Sequence, residues 1–151
     1  TRVLEKVGHE DLLNILQEPR YRFYDREQGG GLWVGKAYSK STAYRRDPLK
    51  NLSHAASPIQ AARVYYMLAT GQLLGPELSL KMLDVLSNPA INHKLVKGLK
   101  DSYPNAKIYR KSGTWRQYHS DSAMIETQDQ RYIIVALSAH PDGGKWLSQL
   151  A

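Results

Sequence analysis

The hydrophobic pattern changes period once, just after Pro104-Asn105. Before that point apolar residues recur every three to four positions, as on a helix face. After it they alternate or run together, as in strands. Val3, Leu4, Val7, Leu12, Ile15 and Leu16 predict a helix over 3–17, broken at Gly8 and closed by Pro19. An aromatic stretch over 21–24 leads into Gly29-Gly30-Gly31, which predicts a flexible loop. Residues 25–56 show little periodicity and read as one long, partly irregular excursion.

Ser57-Pro58-Ile59-Gln60 predicts a capped helix start: Ser57 caps, Pro58 takes the first helical position, and Gln60 completes a capping box. This helix runs to about Thr70 and ends at Gly71. A second helix opens at Pro76 with Leu78, Met82, Leu83 and Leu86 on one face, and Asn88-Pro89 stops it. A third spans 92–101 with Leu95 and Leu99 inward. Three strands follow, over 107–112, within 115–127, and over 131–138, with Gln128-Asp129-Gln130 as the last hairpin loop. The run Ile133-Ile134-Val135-Ala136-Leu137 does not alternate, which predicts a strand covered on both faces. A final helix starts at Pro141-Asp142 and carries Trp146, Leu147 and Leu150. The expected fold class is α+β, an antiparallel sheet flanked by helices, in a single domain over 1–151.

Composition narrows the function classes. The chain is 42% apolar and 23% charged, which fits a folded domain with a real core. It has no cysteine, so no disulfide, thiol nucleophile or cysteine zinc site exists. His9, His54, His93, His119 and His140 show no metal-ligand spacing, and neither metal nor cofactor is expected. The net charge of +7 favours anionic partners. The basic residues form only small clusters, at Arg20/Arg22/Arg26, Arg45/Arg46 and Arg110/Lys111, and no specific nucleic-acid target is expected. Residues 20–26 interleave arginines with aromatics, as single-strand binders do, but edge packing accounts for them equally well. Thr1 as an N-terminal nucleophile would need a fold that opens with a strand, and this chain opens helical. The start at Thr1 reads as a removed leader or an internal boundary of a longer chain.

Lys111-Ser112-Gly113-Thr114-Trp115 is the chemical signature. A Lys-[Ser/Thr]-Gly strand is one of three blocks of penicillin-recognising serine enzymes, with Ser-x-x-Lys and Ser-x-Asn as the others. Neither of the others occurs here, and none of Ser39, Ser53, Ser57, Ser79 and Ser102 has a lysine three positions on. Ser120-Asp121-Ser122 lies after the Lys-Ser-Gly strand and reads as the start of the next strand. The order of blocks is NLSHAASPIQAARVYYMLATGQLLGP, ELSLKMLDVLSN, KSGTW, SDSAMIE and RYIIVALS. It resembles the C-terminal portion of the serine β-lactamase and penicillin-binding-protein superfamily, nearest the class A-like hydrolases.

That resemblance implies the C-terminal part of a larger β-lactamase/transpeptidase-like fold and a bacterial protein, periplasmic or extracellular. It implies that Lys111 supplies positive potential and favours a substrate carboxylate, and that Ser112 donates its hydroxyl to that carboxylate. Gly113 permits close approach. The Thr114 amide is one oxyanion donor, and Trp115 stands on the substrate side. The acyl-accepting serine would lie on an absent N-terminal half, so this chain alone should be inactive. The substrate would be a small acyl compound or a cell-wall peptide. Class A enzymes carry Glu-x-x-Leu-Asn in the loop before the capped helix, whereas this chain has Glu27-Gln28-Gly29-Gly30-Gly31. The implied parent is therefore equally a peptidase, an esterase-like hydrolase or a slow penicillin binder. The alternative class is a non-catalytic module that binds a cell-wall polymer or another polyanion. In the family, a strand from the N-terminal half lies beside the strand at 131–138. The N-terminal half or a symmetry mate is therefore expected to cover that edge.

Overall fold

The computed structural model describes residues 2–37 and 44–151, so Thr1 lies outside the described residues. The chain divides into two compact units, Thr1–Arg63 and Val64–Ala151.

In the first unit, helices α1 (Arg2–Val7) and α2 (His9–Gln17) are separated where predicted, at Gly8 with φ 88°. Leu13 and Leu16 are the buried pair of α2, while Val3, Val7 and Ile15 are exposed. The glycine triplet is not a flexible loop. Strand β1 (Tyr24–Asp25) pairs antiparallel with β2 (Gly30–Gly31), Tyr24 facing Gly31. A Cβ on Gly31 would stand 2.1 Å from the Phe23 carbonyl oxygen, so the hairpin demands glycine there for close approach. Strands β3 (Trp33–Val34) and β4 (His54–Ala55) form a second short pair. The rest of the described excursion is irregular, as expected.

The arginine–aromatic segment is packing. Phe23 and Tyr24 are buried, Tyr21 stacks on Phe23, and Arg22 pairs with Asp25. The Tyr24 hydroxyl donates to buried Asp47, which also accepts the amides of Leu49 and Lys50.

Helix α3 (Pro58–Ala69) starts in the first unit and ends in the second. Ser57 Oγ accepts the Gln60 amide at 3.4 Å, the expected cap. The Gln60 side chain does not close the capping box: it is buried and donates to Gln28 Oε1. Gly71, φ 70°, ends the helix, with the Gln72 amide on the Met67 carbonyl.

The second unit is a three-stranded antiparallel sheet in the order β5 (Lys107–Trp115), β6 (Tyr118–Glu126), β7 (Arg131–Ala139). Side chains alternate between its faces. One face presents Tyr109 and Met124 to Tyr65 and Leu68 of α3 and Leu83 of α4 (Pro76–Leu86). The other presents Ile108, Ala123 and Ile125 to Leu95, Val96 and Leu99 of α5 (Leu95–Ser102). Helix α6 (Gly143–Gln149) lies against α5 and buries Leu147, leaving Trp146 and Leu150 exposed. Within α4 the buried residues are Ser79 and Leu83, while Leu78 and Met82 face outward. The α+β architecture is thus as expected. The apolar strand is covered on both faces as expected, but only partly: Tyr132 and Ile134 pack against one core cluster and Ile133 against the other, no residue of β7 is fully buried, and its outer edge pairs with no strand among the described residues.

Candidate active site

The second unit contains every predicted site residue. β5 is an edge strand. Its outer side carries an isolated antiparallel bridge between Tyr109 and Ser87, and among the described residues no strand pairs with that edge beyond it. The free edge therefore begins at the Lys-Ser-Gly segment.

One side chain reveals how that edge is oriented. Lys94 Nζ donates to Gly113 O at 2.6 Å, Ser120 O at 3.0 Å and Thr114 Oγ1 at 2.9 Å. Gly113 and Ser120 are register partners. In an antiparallel ladder, opposed residues either point both carbonyls into the gap between the strands or both away from it. A single nitrogen reaches both only in the first case. Gly113, and Lys111 two residues before it, therefore direct their backbone groups at β6. Ser112 and Thr114 direct theirs outward, onto the free edge. Ser122 Oγ, donating to Lys111 O at 2.9 Å, fits the same phase.

Lys111 is exposed, and its ammonium folds back to donate to the outward Ser112 carbonyl at 2.6 Å. Ser112 is half-buried and faces Asp121 in the register. A Cβ on Gly113 would meet Ser120 Oγ at 2.7 Å, so glycine keeps this crossing tight. Thr114 is exposed at the backbone edge, with its hydroxyl turned to Lys94. Trp115 is 63% exposed, stacks on Tyr118 and lies under the Arg116 guanidinium. The five residues thus share one strand end. Lys111, Gly113 and Trp115 project from one sheet face, and Ser112 and Thr114 from the other.

Beneath that end sits a buried ion pair that sequence reasoning missed. Arg110 Nε donates to Asp121 Oδ1 at 2.8 Å and Nη2 to Oδ2 at 2.7 Å, with both side chains at most 3% exposed. The remaining Arg110 donors reach Ile91 O and His93 O, and Asp121 also accepts the amides of Leu95 and Ser122. The pair ties β5, β6 and the start of α5 together. Burial, then the nearby Arg110 and Lys94 charges, push the His93 imidazole below its ordinary range. Its Nδ1 lies 3.0 Å from Arg110 Nη2 and, in the neutral ring, accepts from it.

Burial pulls the Lys94 ammonium below the usual lysine range; Asp121 opposes that shift, and Arg110 and Lys111 add to it. Tyr65 of α3, its phenol pushed up by burial, donates to Ser122 O at 3.0 Å from the opposite face.

His93, Lys94, Lys97, Thr114, His119, Gly144 and Ser148 line a cavity of about 250 Å³ with no acidic residue in its wall. His119 faces Thr114 in the register and packs against the first turn of α6, where a Cβ on Gly143 would stand 2.9 Å from its ring. Among the described residues no group of three or more His, Cys, Asp or Glu is arranged to hold a metal. The only sequence signal for this second layer was the Arg110/Lys111 cluster. Lys94 carries no motif at all.

This fold is shared with solved enzymes. The chain is similar to PBP-A at 17% identity and TM-score 0.68, over 98% of this chain and 51% of that one. It is similar to a PBP-A variant solved as an acyl-enzyme complex with penicillin G, at 21% identity and TM-score 0.57, over 71% and 42% respectively. A beta-lactamase from Sphaerobacter thermophilus matches at 14% identity and TM-score 0.68, over 98% and 54%. The chain therefore spans about half the length of these structures. No curated protein matches it. The sequence profile described as the Beta-lactamase enzyme family matches residues 3–151, and the chain belongs to that family.

Proposed function

We propose that this chain is the C-terminal part of a penicillin-recognising serine hydrolase domain. Its reaction is acyl transfer through a serine ester on an N-terminal segment that carries Ser-x-x-Lys. The serine oxygen attacks the acyl carbonyl, and the carbonyl oxygen becomes an oxyanion. The Thr114 N–H and the nucleophile's own N–H hold that charge. The oxyanion then collapses: the bond from the acyl carbon to the leaving amine breaks, and the amine departs with the proton that the serine gave up. The acyl group next passes from the serine to water or to an acceptor amine, and the serine oxygen recovers a proton. Ser112 donates its hydroxyl to the substrate carboxylate, and Lys111 supplies the positive potential that draws it. Trp115 contributes an apolar wall.

The observation that carries this reading is the phase of the free edge: Ser112 and Thr114 turn their backbone outward, beside the Lys111 ammonium and beyond the last pairing at Tyr109. A preorganised amide at that position is typically worth about 3 to 4 kcal/mol to the transition state. The chain's span of about half the length of the matched structures, and an outer edge of β7 that pairs with no strand among the described residues, support an N-terminal partner segment. That segment, not a symmetry mate, covers the 131–138 strand in this reading. The compartment is outside the cytoplasmic membrane, in keeping with the family.

The test is covalent labelling of the full gene product by a fluorescent penicillin. Labelling is expected, with Lys111→Ala slowing it at least about 100-fold, the scale of one lost electrostatic contact to the transition state. Absence of labelling, together with salt-sensitive polyanion binding that Lys111→Ala leaves intact, would replace this reading with the non-catalytic module.

A further inference from the structure

We propose that Lys94 is a positioning residue, which sets the Thr114 amide for catalysis without touching the substrate. The catalytic consequence rests on the acyl-transfer reading above. The structural part stands on its own.

Lys94 occupies the residue before α5 with φ 52° and ψ −130°, a conformation uncommon for a side-chain-bearing residue. Only 4% of it is exposed. An ammonium has three protons, and all three are spent on Gly113 O, Ser120 O and Thr114 Oγ1. None is left for a ligand. The buried charge has no carboxylate of its own, because Asp121 is engaged by both arms of Arg110. A buried cation held by neutral oxygens fixes those oxygens, since losing any of them leaves charge undersolvated.

The position of these oxygens gives the inference its function. Two belong to the Gly113–Ser120 pair, and the third to the side chain of Thr114 itself. The peptide carrying the Thr114 N–H is the one whose carbonyl is Gly113 O. Lys94 therefore grips the inner end of the peptide whose outer end faces the free edge. Rotation of that peptide would swing the N–H away from the oxyanion and would have to break the 2.6 Å contact to Gly113 O. Lys111 acts from the other sheet face, so the two lysines divide the work: Lys111 meets the substrate, and Lys94 holds the strand.

The test uses Lys94→Met, which keeps length and apolar bulk, in the full gene product. Hydrogen exchange followed by mass spectrometry is expected to speed up in peptides covering 111–121 about tenfold or more, while peptides covering 131–139 stay at the wild-type rate. Penicillin acylation is expected to slow about 100-fold, the scale of a misplaced catalytic group, with the Kd of the non-covalent complex changed less than about threefold. Equal acceleration in both peptide sets, or a loss confined to Kd, overturns the proposal. If Lys94→Met does not fold, Thr114→Val removes a single acceptor and leaves the backbone in place. It should slow acylation about fivefold, the scale of one modest hydrogen bond, and an unchanged rate overturns the proposal. The wild type and Lys111→Ala together separate the two readings. Should the wild type itself fail to label, the acyl-transfer reading fails, while the exchange data still decide the role of Lys94 in the strand; should Lys111→Ala label as fast as the wild type, only the substrate role of Lys111 falls. Should it abolish labelling while Lys94→Met labels at the wild-type rate, only the positioning role falls.

Discussion

Asp121→Asn is the substitution whose cost the structure defines most fully. The carboxylate accepts four hydrogen bonds: two from Arg110, at 2.8 and 2.7 Å, and one each from the Leu95 and Ser122 amides, both at 3.1 Å. Its side chain is fully buried. Asparagine keeps one acceptor oxygen and turns an NH2 group toward donors. The Arg110 guanidinium is then a buried cation without its anion. Breaking one side of a buried pair costs about 3 to 5 kcal/mol. For a unit of this size each kcal/mol lowers Tm by about 4 to 8 °C, so the expected loss is roughly 12 °C or more. Urea and thermal unfolding at neutral pH would measure it. Arg110→Met should also destabilise, because it orphans Asp121 and removes donors from Ile91 O and His93 O. The double variant should lose less than the sum of the singles, by about 1 to 3 kcal/mol, the coupling of groups in one network. Strict additivity, or a loss below about 1 kcal/mol for Asp121→Asn, would refute the claim that this pair fastens the end of the sheet.

Two further outcomes follow from other parts of the molecule. Gly98 lies in α5, where alanine ordinarily gains about 1 kcal/mol, but its Cβ would stand 2.2 Å from Ser148 O of α6. Gly98→Ala should therefore lower Tm through overpacking of about 1 to 3 kcal/mol, and a raised Tm would show that helix propensity wins. Burial, reinforced by the Asp47 carboxylate, pushes the Tyr24 phenol from 10.0 up to about 12. The fold thus prefers the protonated phenol. Its contribution is complete below pH 10 and is lost as pH rises from 10 to 12, about 3 kcal/mol in all. The stability advantage of the wild type over Tyr24→Phe should shrink across that window in urea unfolding, and a constant difference would sink the assignment.

Features that local chemistry controls were legible along the chain before folding. Gly8 breaks the first helix and Gly71 ends the third because glycine alone takes positive φ without a Cβ penalty. Ser57-Pro58 starts α3 because a hydroxyl and a fixed φ suit a helix N-terminus. The change to strand periodicity after Asn105 and the Lys-Ser-Gly edge were legible for the same reason, as short patterns along the chain. Where no local signal exists, the reading failed. The β5–β6 hairpin turns at Arg116-Gln117 with Arg116 at φ 52°, without the glycine or asparagine that marks such turns. The first strand therefore runs three residues further than predicted, to Trp115.

Tertiary structure alone decided the rest. Gly30 and Gly31 form a strand because the backbone of Phe23 passes too close for any side chain at Gly31. Arg110 and Asp121 meet because the register brings residues eleven apart together beneath one strand end. Lys94 has no neighbour in sequence among the atoms it holds, which lie nineteen to twenty-six residues away. A motif names the residues that face a substrate. The groups that hold those residues in phase act across the sheet, and only folding brings them within hydrogen-bond reach.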